Sequence, residues 1–280
     1  MTRKVNPLRT HHFVTALALG IFCSTYVFAL PAYIPLQERA QGHSLGGANV
    51  LNDSIFSNPA GSVFSQAYSV DGSYSTADRT LSASVLDSRT SSFTGGIGYY
   101  RAQTDIAEQP RQGLHLLLGT RVQDVVALGA TGKMMWAPDA NGNSIRMMDA
   151  DIGTLTSFGF WEAGAVWRNV GGGNEALGQT RELAVGGRVG YNKQLFFSST
   201  SYLSWGDFTP YQYGFGVEYI TTYYISLKGG YRFQPAANAP SFWTGGLSFN
   251  SPKLSVHYAV EFPQLSGQSN THSVGATMLF

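Results

Sequence analysis

Charged residues and cysteine are scarce in this chain of 280 residues. Only 12% of the residues are charged, against about 25% in an average soluble domain. The single cysteine excludes a disulfide scaffold and a cysteine-rich metal site. A net charge of +1 leaves no strongly basic face, so we predict no nucleic-acid partner. A mean hydropathy of −0.07 excludes a bundle of transmembrane helices.

Glycine and aromatic residues are abundant instead. Glycine accounts for 33 of the 280 residues, and aromatic residues make up 13% of the chain. With few charges and near-neutral hydropathy, this composition is typical of a transmembrane β-barrel, whose strands alternate between lipid-facing and lumen-facing residues.

The first 29 residues have the features of a secretory signal peptide. Three basic residues precede an apolar run over 13–29, which ends in a loose small-residue cleavage site at Ala29. A membrane-anchoring helix is the alternative, but a run of about 17 residues is short for one. Cys23 lies in this segment, so cleavage leaves a chain without cysteine. The bacterial outer membrane is the location that we predict.

Period-two alternation dominates the rest of the chain. Tyr213, Phe215 and Val217 alternate with glycine and Glu218, and similar segments of about ten residues recur. Such a segment is long enough to cross hydrocarbon at a tilt. A soluble β-sandwich also alternates, but it would expose more charge. We predict fourteen strands, near 66–74, 79–87, 92–101, 113–122, 124–136, 145–156, 159–169, 181–191, 194–205, 211–220, 223–233, 241–250, 253–262 and 271–280.

The connections between these strands alternate in length. Thr221-Thr222 and Ser251-Pro252 are tight, whereas 102–112 and 170–180 are long. Short periplasmic turns and longer external loops follow this pattern in outer-membrane barrels. It predicts that both ends of the mature chain lie on the periplasmic side.

The last strand carries a second signal. Gly275, Met278 and the terminal Phe280 lie on an alternating segment that ends in an aromatic residue. This pattern resembles the signal by which the outer-membrane assembly machinery recognises barrels, so that machinery is an expected partner.

A possible nucleophile lies near the amino terminus. Gly42-His43-Ser44-Leu45-Gly46 matches the G-x-S-x-G elbow of lipases. The elbow needs a buried strand before the serine, but 35–41 is polar and begins with proline. We therefore predict no catalytic residue, and a lipolytic enzyme using Ser44 is the least favoured alternative.

A longer match covers the same region. A Gly-rich segment, an acidic residue and Asn-Pro-Ala-Gly precede the first strand, as in the hatch of FadL/PorV-type outer-membrane barrels, which this sequence resembles. The resemblance implies an all-β, fourteen-stranded barrel over 65–280 with a hatch over 30–64 that plugs the lumen. The hatch-motif residues are Gly42, Gly46, Gly47, Asp53, Asn58, Pro59, Ala60 and Gly61.

Ten polar residues face the lumen on the predicted register: Arg121, Lys133, Glu162, Arg168, Arg188, Glu218, Lys228, Arg232, His257 and Glu261. They either pair with one another and the plug or line a polar pathway. A small apolar chamber is a further alternative, and its candidate residues are Leu45, Ile55, Phe56, Leu117, Phe242 and Leu279.

These features predict a non-enzymatic barrel that passes or binds small hydrophobic molecules or lipid. A scaffolding barrel that forms homo-oligomers and a porin-like polar channel are the alternatives. We expect membrane lipid as a partner, a small hydrophobic molecule as a ligand, and no cofactor or metal.

Overall fold

The computed structural model describes most of the chain after residue 33. The described ranges are 34–45, 51–76, 79–103, 110–138, 143–174, 179–236, 239–264 and 269–280. The signal peptide predicted over 1–29 and the hatch-motif residues Gly46 and Gly47 lie outside these ranges.

A closed antiparallel barrel of fourteen strands forms the body of the protein, which confirms the predicted fold class. An α-helix, α1 (Leu36–Ala40), and a 3-10 helix (Asn52–Ile55) precede it. In the described part of the chain, no helix has the length and apolar character required to cross a membrane. The strands are β1 (Tyr68–Ser75), β2 (Thr80–Asp87), β3 (Phe93–Ala102), β4 (Arg111–Gln123), β5 (Val126–Pro138), β6 (Ser144–Ser157), β7 (Trp161–Arg168), β8 (Glu182–Tyr191), β9 (Leu195–Ser204), β10 (Pro210–Ile220), β11 (Ile225–Phe233), β12 (Phe242–Asn250), β13 (Leu254–Pro263) and β14 (Thr271–Leu279).

Alternating side chains explain why these segments form a barrel wall. On β4, Leu116 and Leu118 are 55% and 60% exposed on the outer face, whereas Leu117 between them is 4% exposed. Successive strand residues point to opposite faces, so the outer face offers apolar side chains to lipid and the inner face lines the lumen.

The barrel closes where the last strand meets the first. β14 pairs with β1 from Ser69–Leu279 to Ser75–Ser273. The Phe280 N–H donates to the Tyr68 carbonyl at 2.9 Å, and the two rings pack edge to face at 5.7 Å. Closure leaves no strand edge to pair with other chains.

The two ends of the barrel differ in the length of their connections. One end has the short turns 124–125, 158–160 and 192–194, and it also holds the start of β1 and the end of β14. The other end has the longer connections, such as 169–181. From the usual asymmetry of such barrels, we expect the short-turn end to be periplasmic and the long-loop end external, and the two ends are named accordingly below.

Candidate functional site

The segment before β1 lies inside the lumen, and its described residues, 34–45 and 51–65, are called the plug below. Helix α1 packs against β11–β14, and the 3-10 helix packs against β1–β4. Because β14 pairs with β1, these two elements together contact one continuous part of the wall, from β11 round to β4. Irregular backbone at membrane depth is tolerated only where protein or water satisfies it, so the contacts of the plug decide whether it is stable there.

A row of inward-facing glycines holds the periplasmic half of the plug. Gly119, Gly129 and Gly153 are register partners on the adjacent strands β4, β5 and β6. A Cβ atom added at Gly129 would lie 2.4 Å from the Pro59 carbonyl carbon, and one at Gly153 would lie 2.1 Å from Asn58 Oδ1. Only glycine leaves room for the plug here, and we call this row the lower glycine seat.

Asn58 satisfies the backbone at this seat. Its Nδ2 donates to the Thr154 carbonyl of β6 at 3.2 Å, and its Oδ1 accepts from the Ala60 N–H at 3.1 Å. The Gly61 N–H donates to the Asn58 carbonyl at 2.8 Å. Four hatch-motif residues, Asn58 to Gly61, thus form one turn that fits the seat.

A second group of inward-facing glycines contacts the external half of the plug. A Cβ at Gly214 of β10 would lie 2.4 Å from the Gly42 carbonyl oxygen, and one at Gly230 of β11 would lie 2.4 Å from the Gln41 carbonyl carbon. Gly42 itself has φ +64° and lies against the Tyr231 backbone, so no side chain fits there. The external half of the plug therefore contacts the wall as closely as the periplasmic half does.

Buried charges fasten α1 to the wall. Arg39 Nη1 donates to Glu261 Oε2 at 2.6 Å, and the Tyr202 hydroxyl donates to Glu38 Oε1 at 2.6 Å. Arg232 Nη2 lies 3.6 Å from Glu261 Oε1, so one carboxylate serves two guanidinium groups. Each of these side chains is buried. We call Glu38, Arg39, Tyr202, Arg232 and Glu261 the latch.

The other predicted lumen residues mostly pair within the wall. Lys133 Nζ donates to Asp151 Oδ1 at 2.6 Å, and Arg168 Nη1 donates to Glu182 Oε1 at 2.9 Å. The predicted set lacked both acids, although period-two alternation along β6 and β8 places them on the inner face. These pairs occupy charges that a polar pathway would otherwise offer to ions.

The periplasmic half of β8–β13 carries the remaining charges. Arg188 Nη2 donates to Glu218 Oε2 at 2.5 Å, and Lys228 Nζ lies 3.8 Å from Glu218 Oε1. His257 Nδ1 lies 3.0 Å from Ser248 Oγ. These residues line the wall opposite the lower glycine seat.

The last two predicted lumen residues are Arg121 and Glu162. Arg121 is exposed at the periplasmic end of β4, with its guanidinium 5.0 Å from the Phe64 ring of the plug. Glu162 on β7 faces the lumen in register with Arg188 and is half-buried.

The structure brings together only part of the suggested apolar chamber. Ile55 and Phe56 pack with Leu117 on the inner wall. Phe242 lies near the external end beneath the Arg232 guanidinium, at 3.8 Å, whereas Leu279 pairs with Ser69 at the periplasmic end. The three groups do not form one chamber, because the plug fills the space between the two ends.

A small cavity remains on the external side of the plug. Its volume is about 50 Å³, and its lining includes Glu38, His115, Arg168, Tyr202 and Tyr211. A known cavity that binds benzene measures about 150 Å³. The cavity therefore has room for a few water molecules, and the described residues of the plug occupy the lumen beside it.

Some solved structures with the same architecture are named as transporters or channels. The crystal structure of the Pseudomonas putida toluene transporter TodX matches with a TM-score of 0.64 and 12% identity, covering 90% of this chain and 98% of that one. The CymD monoaromatic hydrocarbon channel matches with a TM-score of 0.61 and 12% identity, covering 87% and 96%. A Pseudomonas aeruginosa FadL homologue matches with a TM-score of 0.59 and 12% identity, covering 90% and 99%. The chain has the FadL-type barrel fold.

The sequence itself matches no protein-family model and no curated protein. At 12% identity, the similarity to FadL-type structures establishes the fold, and the function must be argued from the site.

The serine of the lipase-like motif has a structural environment that differs from a nucleophile elbow. Ser44 is fully buried, and its Oγ lies 2.5 Å from Ser198 Oγ. Helix α1 precedes it where the elbow needs a strand. Among the described residues, no cluster of three or more His, Cys, Asp or Glu side chains is placed to hold a metal ion.

We expect no ester hydrolysis that depends on Ser44. Purified wild type and a Ser44→Ala variant should both hydrolyse p-nitrophenyl butyrate at the rate of a blank, because Ser44 Oγ faces another serine and no general base. Hydrolysis by wild type that Ser44→Ala abolishes would contradict this expectation.

Proposed function

We propose that this protein is an outer-membrane channel that admits small hydrophobic molecules when its plug moves. The observation that carries the proposal is the fit between plug and wall. Inward glycines clear the lumen at Gly129, Gly153, Gly214 and Gly230, where any side chain would collide with the plug. The strands of the barrel pair with one another and not with the plug. The plug can therefore move while the wall stays folded, which supports its role as a displaceable closure.

Aromatic side chains in the external cavity, beside the charged Glu38 and Arg168, support a single-ring passenger once the plug has moved. Phe56, Tyr100, Tyr202 and Tyr211 border the cavity, and their rings offer apolar and edge-to-face contacts. The structural neighbours TodX and CymD are described as a toluene transporter and a monoaromatic hydrocarbon channel. By analogy of fold, we propose single-ring hydrocarbons as the first molecules to test.

A polar channel is the second candidate, and the charged wall near the periplasm favours it. Arg188, Glu218 and Lys228 face the lumen there. Their mutual ion pairs reduce the charge that a passing ion would meet. A porin also needs an open lumen, whereas the plug fills this one.

Uptake by intact cells tests the first candidate. A Gram-negative host that produces the protein should take up ¹⁴C-toluene several-fold faster than the same host without it, because the outer leaflet slows hydrocarbons. ¹⁴C-arabinose uptake should not change. Equal toluene uptake with and without the protein would contradict the proposal, and increased arabinose uptake would favour the porin.

Loosening the turn at the lower glycine seat should increase toluene uptake. Asn58→Ala combined with Pro59→Gly removes the bond to Thr154 and frees the backbone. The barrel should still fold, and its heat-modifiable mobility on gels should match wild type. Asn250→Ala with Pro252→Gly makes the same changes at a periplasmic turn and should leave uptake unchanged. Loss of the folded band in the first variant would show that the turn belongs to the wall.

A further inference from the structure

The external ends of the strands carry a ring of outward-facing side chains. Each strand contributes one position by its period-two alternation. Arg101 and Arg146 are the two members of the ring that are charged at neutral pH. The full ring is Tyr74, Leu81, Arg101, Gln112, Trp136, Arg146, Trp167, Leu183, Leu203, Tyr213, Phe233, Trp243, Phe262 and His272. Within this ring, positive charge is therefore confined to one sector, on β3 and β6.

The two arginines lie on one line across four neighbouring strands. Arg101 pairs with Gln112, Gln112 with Trp136, and Trp136 with Arg146. Three steps between strands of about 4.8 Å place their Cα atoms roughly 14 Å apart. Both arginines are exposed, and neither takes part in an ion pair among the described residues.

An open groove lies between these arginines on the outer face. It measures about 440 Å³ and is lined by Tyr99, Gln112, Leu114, Trp136 and Ser144. The Tyr99 hydroxyl donates to Gln112 Oε1 at 2.8 Å, which orders the polar edge of the groove.

The next row of paired outward-facing residues, on the periplasmic side of the arginine row, is apolar. Tyr99 pairs with Leu114, Leu114 with Met134, and Met134 with Met148. Met148 is 76% exposed on this face. The sector thus has positively charged and amide side chains at the rim and an apolar surface next to them, nearer the membrane centre. This arrangement is complementary to an amphipathic molecule with an anionic head group and an apolar tail.

We propose that this sector binds a phosphorylated glycolipid of the outer leaflet, namely lipopolysaccharide. Its phosphate groups would pair with Arg101 and Arg146, because the planar guanidinium matches phosphate oxygens with two hydrogen bonds. Its sugars would lie against Trp136 and Gln112, and an acyl chain would lie along Leu114. The charge faces outward at the membrane rim, which favours a lipid over a soluble anion. The inference does not depend on the proposed transport function.

Binding of purified Kdo2-lipid A to the full chain tests this inference. Native mass spectrometry should show a bound lipid for wild type. R101Q/R146Q should bind it about 30-fold more weakly and each single variant about five-fold more weakly, from the contribution of one basic residue near an anionic surface. R79Q/R181Q removes two exposed charges from external connections and should bind like wild type. Gel mobility before and after heating confirms that each variant is folded.

Three outcomes would overturn the inference. Unchanged binding by R101Q/R146Q would show that the arginines do not hold the phosphates. An equal loss in R79Q/R181Q would show a general effect of charge. Phosphatidylglycerol that displaces Kdo2-lipid A at equal concentration would show a site for any anionic lipid.

Discussion

Replacing Gly129 with valine is expected to open the lumen while the barrel stays folded. The added Cβ would lie 2.4 Å from the carbonyl carbon and 2.5 Å from the carbonyl oxygen of Pro59. These are backbone atoms of the plug, so the contact is relieved only when the plug moves away. Overpacking of this kind costs about 1–3 kcal/mol, which would raise the population of displaced plug about five- to 150-fold. Valine itself is well suited to a strand.

Single-channel recording in planar bilayers measures this effect. Gly132→Val is the matched control, because Gly132 lies on the same strand, faces outward and has no atom within 4 Å of its added Cβ. We expect frequent openings for Gly129→Val and wild-type behaviour for Gly132→Val. Wild-type conductance in a folded Gly129→Val barrel would show that wall side chains, and not the plug, block the lumen.

The barrel could be predicted from the sequence because strand alternation is a local property. β4 illustrates the precision, since the predicted segment 113–122 lies within the observed Arg111–Gln123. The glycines were recognised as abundant but not as seats for the plug. Their partners lie far away along the chain, as Pro59 does from Gly129 and Gln41 does from Gly230, and no local pattern connects them.

The latch could not be predicted for the same reason. Arg232 and Glu261 appeared among the lumen residues, but Glu38 and Arg39 did not, because they precede the alternating strands. The pair Arg39–Glu261 spans 222 positions of the chain. Asp151 and Glu182 were within reach, because both lie inside the predicted strands 145–156 and 181–191, whose alternation places them on the inner face with Lys133 and Arg168.

Removing the charge of Glu261 is expected to release α1 from the wall. Glu261→Gln keeps the side-chain size but leaves the buried guanidinium groups of Arg39 and Arg232 without their shared carboxylate. Breaking a buried ion pair by removing one partner costs about 3–5 kcal/mol, because the remaining charge stays desolvated. Movement of α1 into water relieves this cost for Arg39, so the open state gains relative to the closed one.

Trypsin cleavage after Arg39 reports this release, because Arg39 is 5% exposed when the plug is seated. Mass spectrometry should find this cleavage in folded Glu261→Gln much sooner than in wild type, whereas Asp124→Asn, which makes the same type of change at an exposed turn, should resist cleavage like wild type.

Channel openings should also increase in Glu261→Gln. Adding Arg39→Met removes one of the two uncompensated charges, so the double variant should open less often than Glu261→Gln alone. If the double variant opened more often than Glu261→Gln, Arg39 would hold the plug by packing, and its ion pair with Glu261 would not be what keeps α1 against the wall.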